Sequence, residues 1–273
     1  MLLSGLDVFP SYYAHMGPAN AAGPDNIDVT LPRPTSPAEL RERTGRGEWV
    51  VDLRARSAFD AEHVPGSVSF DARGPFINYL GWMIPWGTPI TLLAETSEQV
   101  ESAQRELYRI GLDRPVGHAV GDVKTWLGAD QSASGIRRVD FPAMAREWRD
   151  NPDAVVIDTR QILEWEAGHV DKAHFIPFYE VLDRMDEVPA DRPVYVYCGS
   201  GYRAAVVVSL LHRAGLTNVV HVDDNFSNAA AAGLTMHDGG ATPREPGWTW
   251  TASRAAVRWF DPDASSVSHL SVN

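Results

Sequence analysis

The sequence has little of several things that define large protein classes. Its single cysteine, Cys198, excludes an internal disulfide and any metal site built on several thiolates, and fits a reducing compartment. No apolar run approaches the ~20 residues of a membrane span. The opening MLLSGLDVFP lacks the basic stretch of a signal peptide. Cations are outnumbered: 24 Lys and Arg against 36 Asp and Glu give a formal net charge of −12. Phosphate backbones and anionic headgroups would repel such a surface, so neither nucleic acid nor membrane is an expected partner. What remains is ordinary globular material, 44% hydrophobic and 22% charged, pointing to a soluble cytoplasmic protein. At roughly 150 residues per domain, 273 residues predict two domains.

The chain repeats itself. The stretch from Asp52, DLRARSAFDAEHVPGSVSF, is answered from Asp158 by DTRQILEWEAGHVDKAHFIPF. In each, an arginine follows the aspartate by two positions (Arg54, Arg160), an aromatic by seven (Phe59, Trp165) and a histidine by eleven (His63, His169). Downstream, RIGLDRPV from Arg109 matches RAGLTNVV from Arg213, and the offset stays at 104 to 106. That period is too long for a solenoid unit and signals a duplicated domain.

Within each copy, strand and helix signals alternate. Ser36, Pro37 and Glu39 form a capping-box pattern at a helix start. The runs Trp49 to Leu53, Ala154 to Asp158 and Val194 to Tyr197 are short and apolar, as in buried strands. AAVVVSLLHRAG, apolar on nearly every side, predicts a buried helix ending at Gly215. The pattern predicts an α/β fold, with a mostly parallel sheet covered by helices on both faces in each copy. Residues 127–135, LGADQSASG, are expected to be a flexible joint.

The chemistry candidate is CGSGYR, Cys198 to Arg203. The cysteine falls at the carboxyl end of a predicted central strand, the edge where open α/β sheets bind ligands. Gly199 and Gly201 allow the positive-φ turns that curl successive N–H groups toward one point. A helix starting near Arg203 would turn its positive end and a guanidinium toward the thiol. Only about 3% of a free thiol is ionised at pH 7, and making the thiolate dominant requires about 2.7 kcal/mol. A helix terminus supplies ~0.5–2 kcal/mol and each charge-assisted bond ~1.5–3. The loop is therefore expected to hold a thiolate, or an anion on that sulfur, open to small reagents.

The D-x-R … G-H-V element, followed by an apolar strand ending in C-x-x-x-x-R and a helix, resembles the rhodanese sulfurtransferase family, over tandem copies at 34–127 and 136–236. The resemblance implies that Cys198 carries sulfane sulfur as a persulfide. It implies that the loop of Gly199, Ser200, Gly201, Tyr202 and Arg203 cradles the donor or persulfide anion, with no cofactor and no metal. The expected reaction is ping-pong transfer from thiosulfate or a low-molecular-weight persulfide to a thiol or cyanide. The first copy departs from the pattern. Ala94 stands where Cys198 does, no glycine pair follows, Thr96 and Gln99 look like a helix cap, and Val100, Ala103, Leu107 and Ile110 form an apolar face. Because Asp, Arg and His recur in this thiol-free copy, Asp158, Arg160 and His169 are expected mainly to hold the fold. Asp158 is also weighed as a support behind the loop.

Three further readings complete the sequence picture. YYAHMGPANAAGPD, Tyr12 to Asp25 within the segment 1–33, is similar to the stretch ending the metallo-β-lactamase-fold part of fusions that carry two rhodanese-like domains. No H-x-H-x-D-H string exists here, so His15 is expected to be a packing or surface residue, and three readings stay open: a stand-alone descendant, a truncated product, or one part of a split system with a separate metallo-β-lactamase-fold partner. The tail, 237–273, with Trp248, Trp250, Trp259 and Phe260, reads either as a strap over an apolar face or as an oligomer contact. CGSG also begins the loop of mercaptopyruvate-specific relatives, whose next residues differ from Tyr202 and Arg203. Related phosphatases and arsenate reductases place five residues between Cys and Arg where this loop has four. The alternative function is a non-enzymatic persulfide carrier or sensor that docks on a protein partner.

Overall fold

The computed structural model describes residues 10, 12–23, 28, 30–112, 115–129 and 131–238. The aromatic tail, including Trp248, Trp250, Trp259 and Phe260, lies outside the described residues. The first part of the chain runs α1 (Tyr13–Ala22), α2 (Pro37–Gly45), β1 (Trp49–Asp52), α3 (Arg56–Ala61), β2 (Val68–Ser69), α4 (Phe76–Met83), β3 (Ile90–Ala94), α5 (Ser97–Tyr108), β4 (Gly117–Val120) and α6 (Val123–Leu127). The second runs β5 (Arg137–Val139), α7 (Phe141–Asp150), β6 (Val155–Asp158), α8 (Ile162–Glu166), β7 (His169–Val170), β8 (His174–Phe175), β9 (Val194–Tyr197), α9 (Tyr202–Arg213), β10 (Val219–Val222) and β11 (Met236–His237).

The duplication in sequence is a duplication in topology. One sheet has the order β2-β1-β3-β4, the other β5-β10-β9-β6-β8, and every pairing within both is parallel. A parallel bridge from Pro34 to His118 on β4 occupies the position that β5 fills in the second sheet. Buried on both faces, the central strands need no alternation, which is why they read as continuous apolar runs. The fold is α/β, two tandem units of parallel sheet and helices.

Local chemistry sets the helix ends. Ser36 accepts from Glu39 N–H, but the expected reciprocal half of the capping box is replaced: the Glu39 carboxylate pairs with Arg33 and Arg43. α9 ends as its glycine predicts, with Gly215 at φ +94° and Leu216 N–H reaching Leu211 O at 3.1 Å. The stretch before residue 33, which shows no apolar period, carries α1; no residue of that helix is buried, and His15 stacks on Trp86 at 4.3 Å.

The joint departs from expectation. Leu127 closes α6, Ser134 forms an antiparallel bridge with His63, and Ile136 N–H donates to Asp60 O. In the second copy β11 makes the same pairing with β7, His237 opposite His169. The later part of the linker is thus the closing element of the first copy, tied by hydrogen bonds rather than left loose.

The two units share one core. Val51, Leu92 and Ala94 of the first sheet belong to the same buried cluster as Val194, Val196 and Cys198 of the second, with Val206, Val207 and Leu211 of α9 among them. Ser209 in α9 accepts from Ser69 N–H of β2 at 3.0 Å. This explains a helix apolar on nearly every side: α9 has its own sheet on one side and the first copy on the other. Burial of each Val or Leu side chain contributes ~1.5–3 kcal/mol.

Candidate active site

Cys198 follows β9, and Gly201 precedes α9 at φ +86°. Asp223 explains why only glycine serves there: a Cβ on Gly201 would lie 2.1 Å from Asp223 Oδ1. Three consecutive carbonyls of the loop accept hydrogen bonds. Phe226 N–H donates to Gly199 O (3.0 Å), Arg56 Nη2 to Ser200 O (3.3 Å) and His221 Nε2 to Gly201 O (2.9 Å). The main-chain N–H groups of Gly199 to Arg203, by contrast, donate to no acceptor among the described residues. Ser200 is exposed and Gly199 and Arg203 are half-buried, so these five N–H groups have no protein partner among the described residues on a partly open loop beside the thiol. Successive main-chain donors of this kind can face an anion.

The equivalent loop of the first copy turns two of its donors onto its own side chains: Glu95 N–H donates to Gln99 Oε1 (2.9 Å) and Gln99 N–H to Thr96 Oγ1 (3.4 Å). Ala94 supplies no nucleophile.

Behind each loop stands the repeated Asp–Arg–His set. Asp158 and Arg160 form a buried bidentate pair, and Arg160 Nη2 continues to Gly168 O at 2.6 Å. Asp52 and Arg54 repeat it, reaching Glu62 O at 2.9 Å. His169 stacks on Trp165 and donates Nδ1–H to Trp165 O; His63 does the same with Phe59. One contact is peculiar to the second copy. Tyr197, next to Cys198, donates its hydroxyl to Asp158 Oδ2 at 2.7 Å and accepts from Val170 N–H, where the first copy has Leu93. Asp158 thereby touches the strand end that carries the thiol, and its carboxylate bonds Arg160 and Tyr197 rather than the loop itself among the described residues.

A model of the rhodanese-like domain matches residues 36–129 and again 141–232, more than half of the chain. The chain belongs to the rhodanese-like family. Among curated proteins it is similar to the uncharacterized protein YqhL of Bacillus subtilis (33% identical over 73 residues, 27% of this chain and 58% of that protein). It is also similar to the probable adenylyltransferase/sulfurtransferase MoeZ of Mycobacterium tuberculosis (31% over 84 residues, 30% of this chain and 21% of that protein). A sulfurtransferase of Allochromatium vinosum is 27% identical over 101 residues, 37% of this chain and 94% of that protein. The chain thus spans less than two thirds of the length of YqhL and MoeZ. Membership and these names support a sulfur-transfer role in general.

Two expectations about this rhodanese-like site change. Arg203, expected to face the thiol and stabilise negative charge there, forms a two-point ion pair with Glu164 of α8, with Nη2–Oε1 at 2.8 Å. The pair lies across Gly199, whose Cβ would come 2.9 Å from Arg203 Nη2 and 3.4 Å from Glu164 Oε1. Burial alone would raise the Glu164 carboxyl, but the Arg203 hydrogen bond and charge and the Gln161 N–H hold it below its ordinary value. Cys198, expected to be open, is 1% exposed. It shares a buried cluster with Tyr202, Ile176 and Phe178, and Tyr79 of the first copy packs beside them, 5.2 Å from the rings of both Tyr202 and Phe178. The Tyr79 hydroxyl is raised by burial, lowered by Arg203 and raised again by Cys198 and Glu164, so it shares their electrostatic environment.

Residues the sequence did not single out complete the surroundings: Glu164, Tyr79, Arg56, Asp60, His221 and Asp223. One signal was available for Glu164, since the offset of 106 places Ala58 opposite it, a difference between the copies as telling as Ala94 against Cys198. Tyr202 donates to Asp71 O (2.8 Å), anchoring the loop to the first copy. Among the described residues no cluster of three His, Cys, Asp or Glu could hold a metal ion, and no helix is long and apolar enough to cross a membrane.

Proposed function

We propose that this protein is a sulfurtransferase in which Cys198 takes a sulfane sulfur from thiosulfate or a low-molecular-weight persulfide and passes it to a thiol or to cyanide. The Cys198 thiolate attacks the outer sulfur of the donor. The donor S–S bond breaks, sulfite or a thiolate leaves with the electron pair, and Cys198 carries a persulfide. An acceptor nucleophile then attacks that outer sulfur, and the Cys198 thiolate returns with no net oxidation. Negative charge stays near the sulfur throughout. The observation that carries the reading is the run of unpaired N–H groups from Gly199 to Arg203 beside the only cysteine, since preorganised donors stabilise charge without reorganising. Arg203 contributes as a shared cation, its charge partly met by Glu164.

Intact mass after incubation with thiosulfate or glutathione persulfide tests this directly. One added sulfur is expected on the parent and none on Cys198→Ala; no addition to the parent, or equal addition to both, removes the reading. Burial of Cys198 favours a second reading, a persulfide carrier that exposes its sulfur only when docked on a protein. Multiple turnovers with small donors and acceptors favour the enzyme, and a single stoichiometric loading favours the carrier.

A further inference from the structure

We propose that the first copy, which has no thiol of its own, aims the N–H groups of the cysteine loop through Arg56 and the buried Asp60–His221 pair. The proposal rests on reading Cys198 as the sulfur carrier. A trans peptide is planar, so its C=O and the next residue's N–H point to opposite sides, and no peptide among the described residues is cis. Whatever holds a loop carbonyl therefore sets the direction of the following N–H. Phe226 N–H on Gly199 O sets that of Ser200 and Arg56 on Ser200 O sets that of Gly201, while Gly201 O is held twice, by Ala205 N–H of α9 and by His221 Nε2, each at 2.9 Å, which together set that of Tyr202.

Two of these four anchors depend on the first copy. Arg56 reaches across from α3 and also pairs with Asp223 at 2.8 Å. One turn further along α3, Asp60 meets His221 Nδ1 at 2.7 Å. Gly201 O can only accept, so His221 Nε2 carries a proton. The contact with Asp60 then requires a second proton, shared between the imidazole nitrogen and the carboxylate. His221 is 0% exposed and Asp60 5%, so no bulk water replaces either partner. Arg138 lies 4.0 Å from Asp60 and 2.9 Å from Asp223, adding a cation behind the pair. The carboxyl of Asp223 is held low in this setting: burial would raise it, and the Arg56 hydrogen bond, the charge of His221 and the Arg138 hydrogen bond outweigh that. In the first copy His118 occupies the register of His221 but meets Pro32 O instead, at 2.7 Å. The relay exists only on the side that carries the thiol.

Asp60→Asn keeps the shape and removes the charge. With no carboxylate to share the second proton, His221 keeps only one: an amide oxygen facing Nδ1 strips Nε2, and an amide N–H facing Nδ1 leaves Nε2–H on the Gly201 carbonyl without the positive charge behind it. Arg56→Met removes the neighbouring anchor at a partly exposed position and decides the matter if Asp60→Asn fails to fold. The experiment compares the full chain with these variants and with Arg56→Lys in thiosulfate:cyanide turnover. It also takes the ratio of Cys198 alkylation rates by iodoacetate, an anion, and iodoacetamide, a neutral reagent. Asp60→Asn and Arg56→Met should each lower kcat by about 10- to 100-fold with KM changed far less, as expected when support for donors that act in the transition state is lost. Arg56→Lys should recover most of the loss, and the iodoacetate preference should fall in both disabling variants. Unchanged kcat and an unchanged alkylation ratio in both overturn the proposal. If the parent itself turns over no sulfur, the sulfurtransferase reading fails, while the alkylation ratio still decides whether the first copy aims the loop.

Discussion

At the scale of single residues, the two glycines of the loop are not equivalent. A Cβ on Gly199 would meet only side-chain ends, Arg203 Nη2 at 2.9 Å and Glu164 Oε1 at 3.4 Å, whereas one on Gly201 would meet Asp223 at 2.1 Å with the backbone at φ +86°. Strain of ~1–3 kcal/mol from that backbone alone would shift the loop. Gly199→Ala is expected to keep most of the turnover and Gly201→Ala to lose about 100-fold or more; comparable rates in thiosulfate:cyanide assays would show that the loop tolerates displacement. Glu164 is the other decisive residue. It shares Arg203, and a donor dianion must compete with it. Glu164→Gln should lower KM for thiosulfate by about tenfold, the equivalent of one charge-assisted bond released for the donor. A KM that does not move would mean Arg203 never reaches the donor.

At the scale of elements, the buried histidines give the fold a defined acid response. His63 is lowered to about 4: burial among Phe59, His212 and the linker disfavours the cation, the Phe59 carbonyl opposes this weakly, and His212 and Arg54 add to the shift. Unfolded, the same imidazole binds its proton near pH 6.5. Between these values the unfolded chain holds more protons than the folded one, so stability falls as pH drops through this window. The loss is of order 3 kcal/mol for this group. Urea midpoints measured from pH 7 to 4 should decline less steeply in His63→Asn; parallel slopes would show that His63 is not the titrating group. His169, His174 and His212 are lowered in the same direction, burial being the first cause for each, and steepen the common response. The Asp158 carboxylate acts at this scale too. Tyr197→Phe frees one of its hydrogen bonds inside the core, with an expected loss of about 1 to 3 kcal/mol. An accompanying loss of kcat larger than thermal unfolding explains would give Asp158 a role in supporting the strand that bears the thiol.

At the scale of the whole molecule, the two copies do not behave as beads on a string. α9 is buried along nine of its twelve residues, and Ser69, Asp71, Arg56 and Asp60 of the first copy bond directly to groups of the second. Residues 136–273 produced alone would expose the apolar side of α9 and leave His221 without its carboxylate. Such a fragment should lack a cooperative thermal transition, and a sharp transition near that of the full chain would refute the shared core. The duplication itself, the alternation of strand and helix, the cap at Ser36 and the stop at Gly215 were legible because they rest on period and turn chemistry within a few residues. The position of Cys198 at the end of a strand, and of Ala94 at the matching place in the first copy, was legible for the same reason. What decided the rest lies far apart along the chain. Glu164 reaches Arg203 across 39 residues and Asp60 reaches His221 across 161, distances over which no local pattern constrains a charge. Sequence alone determined that there are two parallel-sheet units and that one of them carries a cysteine followed by a glycine-rich turn at the end of a strand. Only tertiary packing decided that the thiol is covered, that its arginine is shared and that the silent copy stands behind the loop, because each of these follows from which surfaces meet when the two sheets close on one helix.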